Sequence, residues 1–102
     1  MNGFGYAWEK LYLAVLALAA GTGSLSERLR NAWMPSLRSL WHPDHIPDPD
    51  LRARFDRLRE HFAPAEGRMV IETLSVEEQR AVAEEICSIY DAVRARYARE
   101  RK

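Results

Sequence analysis

The side chains best suited to bind a metal gather in one short stretch of the sequence, His42-Pro-Asp-His45. Two histidines at this spacing supply two ligands at most, whereas zinc sites need three or four that converge on one point. No second pair of histidines or cysteines lies at a metal-binding spacing elsewhere in the sequence. We therefore expect no metal ion and no cofactor, and we interpret the stretch as a solvated linker stiffened by its prolines.

Cys87 is the single cysteine of the chain, which excludes a disulfide framework and a cysteine-only zinc site. A nucleophilic thiol needs a lowered pKa from a helix N-terminus or a neighbouring base, and a position inside a long helix offers neither. We expect Cys87 to be a packed or half-packed small side chain. The sequence also lacks a Gly-x-Ser-x-Gly turn, a phosphate-binding glycine loop and a His-Glu-x-x-His helix. It predicts that the protein is not an enzyme.

Arginine supplies thirteen of the 15 basic residues, and its planar guanidinium binds phosphates and carboxylates through paired hydrogen bonds. The basic residues are balanced by 15 acidic ones, so the formal net charge is zero and no overall field attracts nucleic acid. Nucleic-acid binding is therefore the second interpretation of this sequence. Its candidate contacts are Arg52, Arg54, Arg57, Arg59, Arg96 and Arg99.

The chain is rich in aromatic residues, with three tryptophans, four tyrosines and three phenylalanines among 102 residues. Most of them are expected in the core, because each buries a large area. Tryptophan is also enriched among the residues that dominate binding energy at protein interfaces. Trp41 adjoins the proline-rich linker, where packing is hard to complete, and is the aromatic residue that we favour as a partner contact. The alternative, that Trp41 covers the core beneath the linker, stays open.

The spacing of apolar residues and of stop signals predicts the elements that position these side chains. Ser24 with Glu27, and Ser75 with Glu78, match the capping box that begins a helix. Asp48 is suited to cap another helix whose first residue is Pro49. We expect one all-α domain over residues 1–102, a small bundle of four main helices with little or no strand. Their expected bounds are 6–20, 24–41 with a break near 35, 49–62 and 76–99, with a linker at 42–48.

The sequence leaves two local features of these elements undecided and makes one prediction about the end of the first helix. Pro35 either kinks the second helix or begins a short separate one, because proline disrupts the helix that precedes it. Residues 69–71 are apolar and form either a short strand or half a helical turn. Gly21 is expected to end the first helix in the left-handed conformation.

The first predicted helix is apolar nearly all round, which is typical of a helix at the centre of a bundle. Its expected packing face includes Val15 and Leu16, and these two residues should be buried with Phe55, Leu58 and Ile86. Residues 11–20 carry no charge, but spanning a bilayer takes about 20 such residues. Residues 1–10 also lack the positive bias of a signal peptide. We expect no membrane segment and a cytoplasmic protein.

The last predicted helix is longer than the others. At about 1.5 Å per residue it reaches roughly 36 Å, whereas the first and third reach roughly 21–23 Å. An unmatched C-terminal part would expose an apolar stripe, and exposed apolar patches usually mark an interface. We expect that stripe to contact a partner, most simply a second copy of the chain, which predicts a homo-oligomer. Its residues are Tyr90, Val93, Arg94 and Tyr97. The alternative is a helix that frays near Arg94, with Val93 covered by Phe4 or Tyr6.

The sequence therefore predicts a non-enzymatic protein–protein interaction module, such as an adaptor, an assembly subunit or an inhibitor, that acts through helical surfaces. A small nucleic-acid-associated regulator is the alternative, and the arginines named above would be its contacts.

Overall fold

Side-chain caps begin the helices where the sequence predicts them. The Ser24 hydroxyl accepts a hydrogen bond from the Glu27 amide, and the Glu27 carboxylate accepts one from the Ser24 amide. Asp48 accepts from the amide of Leu51 in the same way. The computed structural model describes residues 3–63 and 70–100. Within those ranges it contains four α-helices and no strand, so the predicted all-α fold is confirmed. The helices are α1 (Gly5–Ala20), α2 (Leu25–Trp33), α3 (Pro49–Arg59) and α4 (Val76–Glu100).

The segments between the helices contain 3-10 turns, two of them at places where the sequence left alternatives. The second helix ends at Trp33, the chain bends through Pro35, and a single 3-10 turn follows at Leu37–Ser39. The linker contains a second 3-10 turn at Pro43–His45, so it is more regular than expected. A third 3-10 turn, Ile71–Thr73, stands where a short strand was an alternative, and Met69 lies outside the described residues.

The first helix ends differently from the prediction. Gly21 has φ −70° and ψ 160°, which is extended backbone and not the left-handed conformation. The left-handed residue is Gly23, with φ 94°, directly before the cap of α2. A glycine is favoured at Gly23 because a side chain is strained at that φ.

Helices α1 and α4 pack side by side in opposite directions. The ring of Trp8 stacks on that of Tyr97 at 5.6 Å, and about one turn further along α1 the ring of Tyr12 lies 6.5 Å from that of Tyr90. At the far end, the Glu100 carboxylate accepts hydrogen bonds of 2.9 and 3.1 Å from the backbone amide of Phe4. A carboxylate at a helix N-terminus also interacts favourably with the helix dipole. Helix α1 therefore covers the C-terminal part of α4.

Of the five residues that the sequence predicts to be buried together, only three lie fully in the core. Phe55, Leu58 and Ile86 are buried, as expected. Val15 is half-buried. Leu16 is 45% exposed, so the prediction that Leu16 is buried is wrong. The residues of α1 that are buried are Ala7, Leu11, Ala14 and Leu18. The two alanines of this face allow the backbone of α1 to approach its neighbours closely, which leaves the bulkier opposite face outside.

No helix within the described ranges is both long enough and apolar enough to cross a bilayer.

Candidate functional site

The three tryptophans occupy different environments, and Trp41 is the exposed one. Trp33 is 3% exposed and stacks on Phe62, with ring centres 4.9 Å apart. Trp8 is half-buried between α1 and α4. The side chain of Trp41 is 65% exposed. This exposure contradicts the alternative that Trp41 covers the core beneath the linker.

The backbone that carries Trp41 is held in place by α3. The guanidinium of Arg52 donates hydrogen bonds to the carbonyl oxygens of Leu40, Trp41 and His42, at 2.9, 3.3 and 2.8 Å. The same guanidinium donates to the carboxylate of Asp56 at 3.1 Å. Trp41 thus presents an exposed ring on a fixed main chain, an arrangement that lowers the entropy cost of binding.

Two histidines cap the turn that follows Trp41. Nδ1 of His42 accepts from the Asp44 amide at 3.1 Å, and Nδ1 of His45 accepts from the His42 amide at 3.3 Å. The two imidazole rings lie edge-on to Trp41, with ring centres 5.3 and 5.9 Å from it. Tyr6 of α1 lies against His45 at 4.9 Å. The histidines therefore position the turn beside Trp41.

Trp41 forms one wall of a groove of about 360 Å³, which we call the Trp41 groove. The volume is near the lower end of the range of about 300–1,000 Å³ that is usual for ligand sites. The floor consists of core residues that are almost fully buried, so the ring of Trp41 supplies most of the aromatic surface that a ligand in the groove can reach. The floor residues are Trp33, Leu37, Leu40 and Phe55. The remaining lining residues are Arg38, Arg59, Glu60 and Ala63.

The charges around this groove are not balanced. Arg38 has no ion pair or hydrogen bond from its guanidinium to any described residue. Arg59 lies 3.8 Å from Asp56, whose oxygen also accepts from Arg52 at about 3 Å. Glu60 has no ion pair within the described ranges. Two weakly neutralised guanidinium groups therefore face one carboxylate at the groove.

The stripe expected to bind a partner at the end of α4 is covered by the chain itself. Val93 is fully buried, and Tyr97 and Tyr90 are half-buried against the aromatic residues of α1. Arg94 pairs with Asp91 on its own helix at 3.0 Å. The premise that this end of α4 lacks an intramolecular neighbour is wrong, because the shorter α1 is placed alongside it. Val93 is consequently unavailable to a partner.

Three of the six predicted nucleic-acid contacts bridge elements of the fold, and a fourth, Arg59, pairs with Asp56 on its own helix. Arg54 donates two hydrogen bonds to Glu85, at 3.0 and 3.1 Å, and this interaction raises its pKa above the ordinary arginine value. Arg96 pairs with Asp48, the residue that caps α3. Arg52 makes the contacts described above. These three arginines connect elements of the fold, which the one-dimensional pattern of basic residues does not reveal.

Cys87 is exposed, whereas the sequence predicts a packed or half-packed side chain. Partial burial of its sulfur and the nearby Glu84 carboxylate raise the pKa of the Cys87 thiol above its usual value. Both effects disfavour the thiolate that a nucleophile requires. In the described part of the chain, no group of three or more His, Cys, Asp and Glu side chains converges as metal ligands would.

The outer face of α1 is a second exposed apolar surface, which sequence analysis missed. It includes Tyr12, Leu13 and Leu16, each between 38% and 45% exposed. Leu13 and Leu16 also line a shallow groove, together with the end of α1 and with Asn31, Pro35 and Ser36. The signal was present in the sequence, because a helix that is apolar all round needs a second neighbour.

Comparisons of the chain with protein-family models, with curated proteins and with solved structures find no match.

Proposed function

We propose that this protein is a non-enzymatic protein–protein interaction module that docks its partner in the Trp41 groove. The observation that supports this proposal is the exposure of Trp41, 65% of whose surface faces solvent beside a groove floored by the core. A large aromatic ring on a fixed backbone is the type of residue that dominates binding energy at interfaces. The protein would act as an adaptor, an assembly subunit or an inhibitor.

The proposal places this activity in the cytoplasm. The single cysteine supports that location, since a chain with no disulfide partner gains nothing from an oxidising compartment.

Affinity purification from an extract of the source cells tests the proposal. The bait is the intact chain, compared with its Trp41→Ala variant, and the retained proteins are identified by mass spectrometry. Val76→Ala is the matched control, because Val76 is 63% exposed but lies at the start of α4, outside the Trp41 groove. We expect a protein that is retained by the parent and by the Val76→Ala variant and lost with the Trp41→Ala variant. Equal retention by all three baits would contradict the proposal.

Self-association is also proposed, but through a surface other than the one predicted. Val93 is buried, so the exposed apolar face of α1 supports a contact between copies better than the end of α4 does. Light scattering of the intact chain and of a Leu13→Glu, Leu16→Glu variant tests this. A mass that falls in the variant supports self-association through α1, and a monomeric parent at high concentration contradicts it.

The nucleic-acid alternative is weaker, because Arg52, Arg54 and Arg96 are engaged inside the fold. A gel-shift assay across a range of salt concentrations tests it, since phosphate contacts make affinity fall steeply with salt.

A further inference from the structure

The exposed ring of Trp41 favours an apolar anchor from the partner. Trp33, Leu37, Leu40 and Phe55 also line the groove but are each at most 3% exposed, so Trp41, which is 65% exposed, provides the main apolar contact. The volume of about 360 Å³ suits one bulky side chain and a short length of its flanking chain. Trp41 closes one side of this space. The geometry therefore selects a protruding aromatic or large aliphatic side chain.

The rim of the same groove favours negative charge beside that anchor. Arg38 has no partner among the described residues, and the contact of Arg59 to Asp56 is 3.8 Å long. An arginine guanidinium binds a carboxylate through paired hydrogen bonds, which fixes its orientation as well as its position. Glu60 is the opposing charge on the rim and would repel an acidic ligand.

We infer that the partner presents a short acidic peptide segment, in which one bulky apolar side chain enters the Trp41 groove and neighbouring Asp or Glu residues pair with Arg38 and Arg59. This inference rests on the proposed function and specifies the chemistry of the partner. A nucleic acid also carries negative charge, but it would need a longer basic surface. The formal net charge of zero and the internal bonds of Arg52 and Arg54 argue against one.

A displayed library of short random peptides, selected on the intact chain, tests the inference. Enriched peptides are then synthesised, and their dissociation constants are measured by fluorescence polarisation for the parent and for variants. We expect the enriched peptides to combine an aromatic or leucine residue with neighbouring Asp or Glu. Trp41→Ala should abolish their binding. Arg38→Gln with Arg59→Gln should raise Kd about tenfold or more, and Glu60→Gln should lower it a few fold.

Arg80→Gln is the control for loss of positive charge. Arg80 is exposed on α4 and does not line the Trp41 groove, so its substitution should leave Kd unchanged. Circular dichroism of each variant checks that the helices are retained.

Three results overturn the inference in distinguishable ways. Peptides that depend on Trp41 but lack acidic residues, or that bind equally well without Arg38 and Arg59, refute the acidic partner and leave the proposed function standing. Single-stranded oligothymidylate that binds through Trp41, Arg38 and Arg59 replaces the peptide with a nucleic acid. A selection that returns no Trp41-dependent peptide refutes the inference, and the affinity purification then decides separately whether the proposed function survives.

Discussion

His42 and His45 each use Nδ1 as a hydrogen-bond acceptor for a backbone amide in the turn after Trp41. An imidazole nitrogen accepts only while it is unprotonated, so this turn depends on neutral histidines. Burial lowers the pKa of His45 below its ordinary value, and electrostatic repulsion from the neighbouring His42 and Arg52 side chains adds to the effect. The nearby carboxylate of Asp44 opposes it, and Tyr6 is the group that faces His45 from α1.

The lowered pKa of His45 sets the direction in which stability changes with pH. The unfolded chain, with a histidine pKa of about 6.5, binds the proton more readily than the folded chain does. Stability is therefore retained above that value and lost as the pH falls through the lower pKa of the folded state. The carboxylates of Glu27 and Glu78 also have lowered pKa values, so their contribution is lost at a lower pH than that of His45.

We expect the free energy of unfolding to decrease between about pH 7 and about pH 5, the range in which histidine takes up a proton. Urea titrations followed by circular dichroism measure this decrease. His45→Asn should flatten the pH dependence over that range. A slope that is unchanged in the His45→Asn variant would show that the turn does not sense pH.

At the scale of the helices, α1 has two apolar faces, and the fold uses one of them. Leu11 is fully buried on the inner face, whereas Leu16 is 45% exposed on the outer one. Both residues are leucines of α1, so any difference between the effects of their substitution comes from their environments.

We expect Leu11→Ala to lower the free energy of unfolding by about 2–5 kcal/mol, because it removes core contacts and leaves a cavity. Leu16→Ala should change it by no more than about 0.5 kcal/mol, as is usual for surface substitutions. Denaturant unfolding of both variants at a concentration where the chain is monomeric measures the difference. Similar losses for the two substitutions would refute this assignment of the faces.

The starts of α2, α3 and α4 could be predicted from sequence, but the C-terminal ends of α2 and α3 and the orientation of α1 could not. Ser24, Asp48 and Ser75 act on amides within three residues of themselves, so their effect is local and can be recognised in a sequence. The choice between the two faces of α1 depends on packing with distant helices. Ala7 and Ala14 are inside because they permit close approach, a property that an apolar pattern does not register.

At the candidate site too, local features could be predicted from sequence, whereas contacts between distant residues could not. Trp41 could be selected as a candidate from its residue type and its place beside the linker, but its exposure could not be decided from sequence. The roles of Arg54 and Arg96 could not, because their carboxylate partners, Glu85 and Asp48, are 31 and 48 residues away in sequence. A basic cluster in a sequence therefore overstates the charge that is available for binding.

At the scale of the whole molecule, Phe55 connects the core to the Trp41 groove. It is fully buried, its ring lies 6.3 Å from that of Trp33, and it forms part of the groove floor. A change at this residue should consequently affect both stability and binding.

We expect Phe55→Ala to lower the free energy of unfolding by about 3–5 kcal/mol, a large fraction of the stability of a small domain. Thermal and urea melts measure the loss. Phe55→Leu is the milder comparison, since it keeps most of the apolar volume and should lose less. A Phe55→Ala variant that melts within a few degrees of the parent would contradict the position of Phe55 in the core.

The pairing of α1 with α4 has a consequence for how the chain acquires its structure. The hydrogen bonds between Phe4 and Glu100 join residues 96 positions apart, and the Trp8–Tyr97 stack is nearly as distant. Contacts between residues so far apart in sequence require a long loop to close before they form. Folding is therefore slower than in a helical bundle in which only helices adjacent in sequence pack together. During translation α1 leaves the ribosome long before α4 has been synthesised. The part of α1 that packs on α4 therefore remains open to chaperones, or to aggregation, until the last helix emerges.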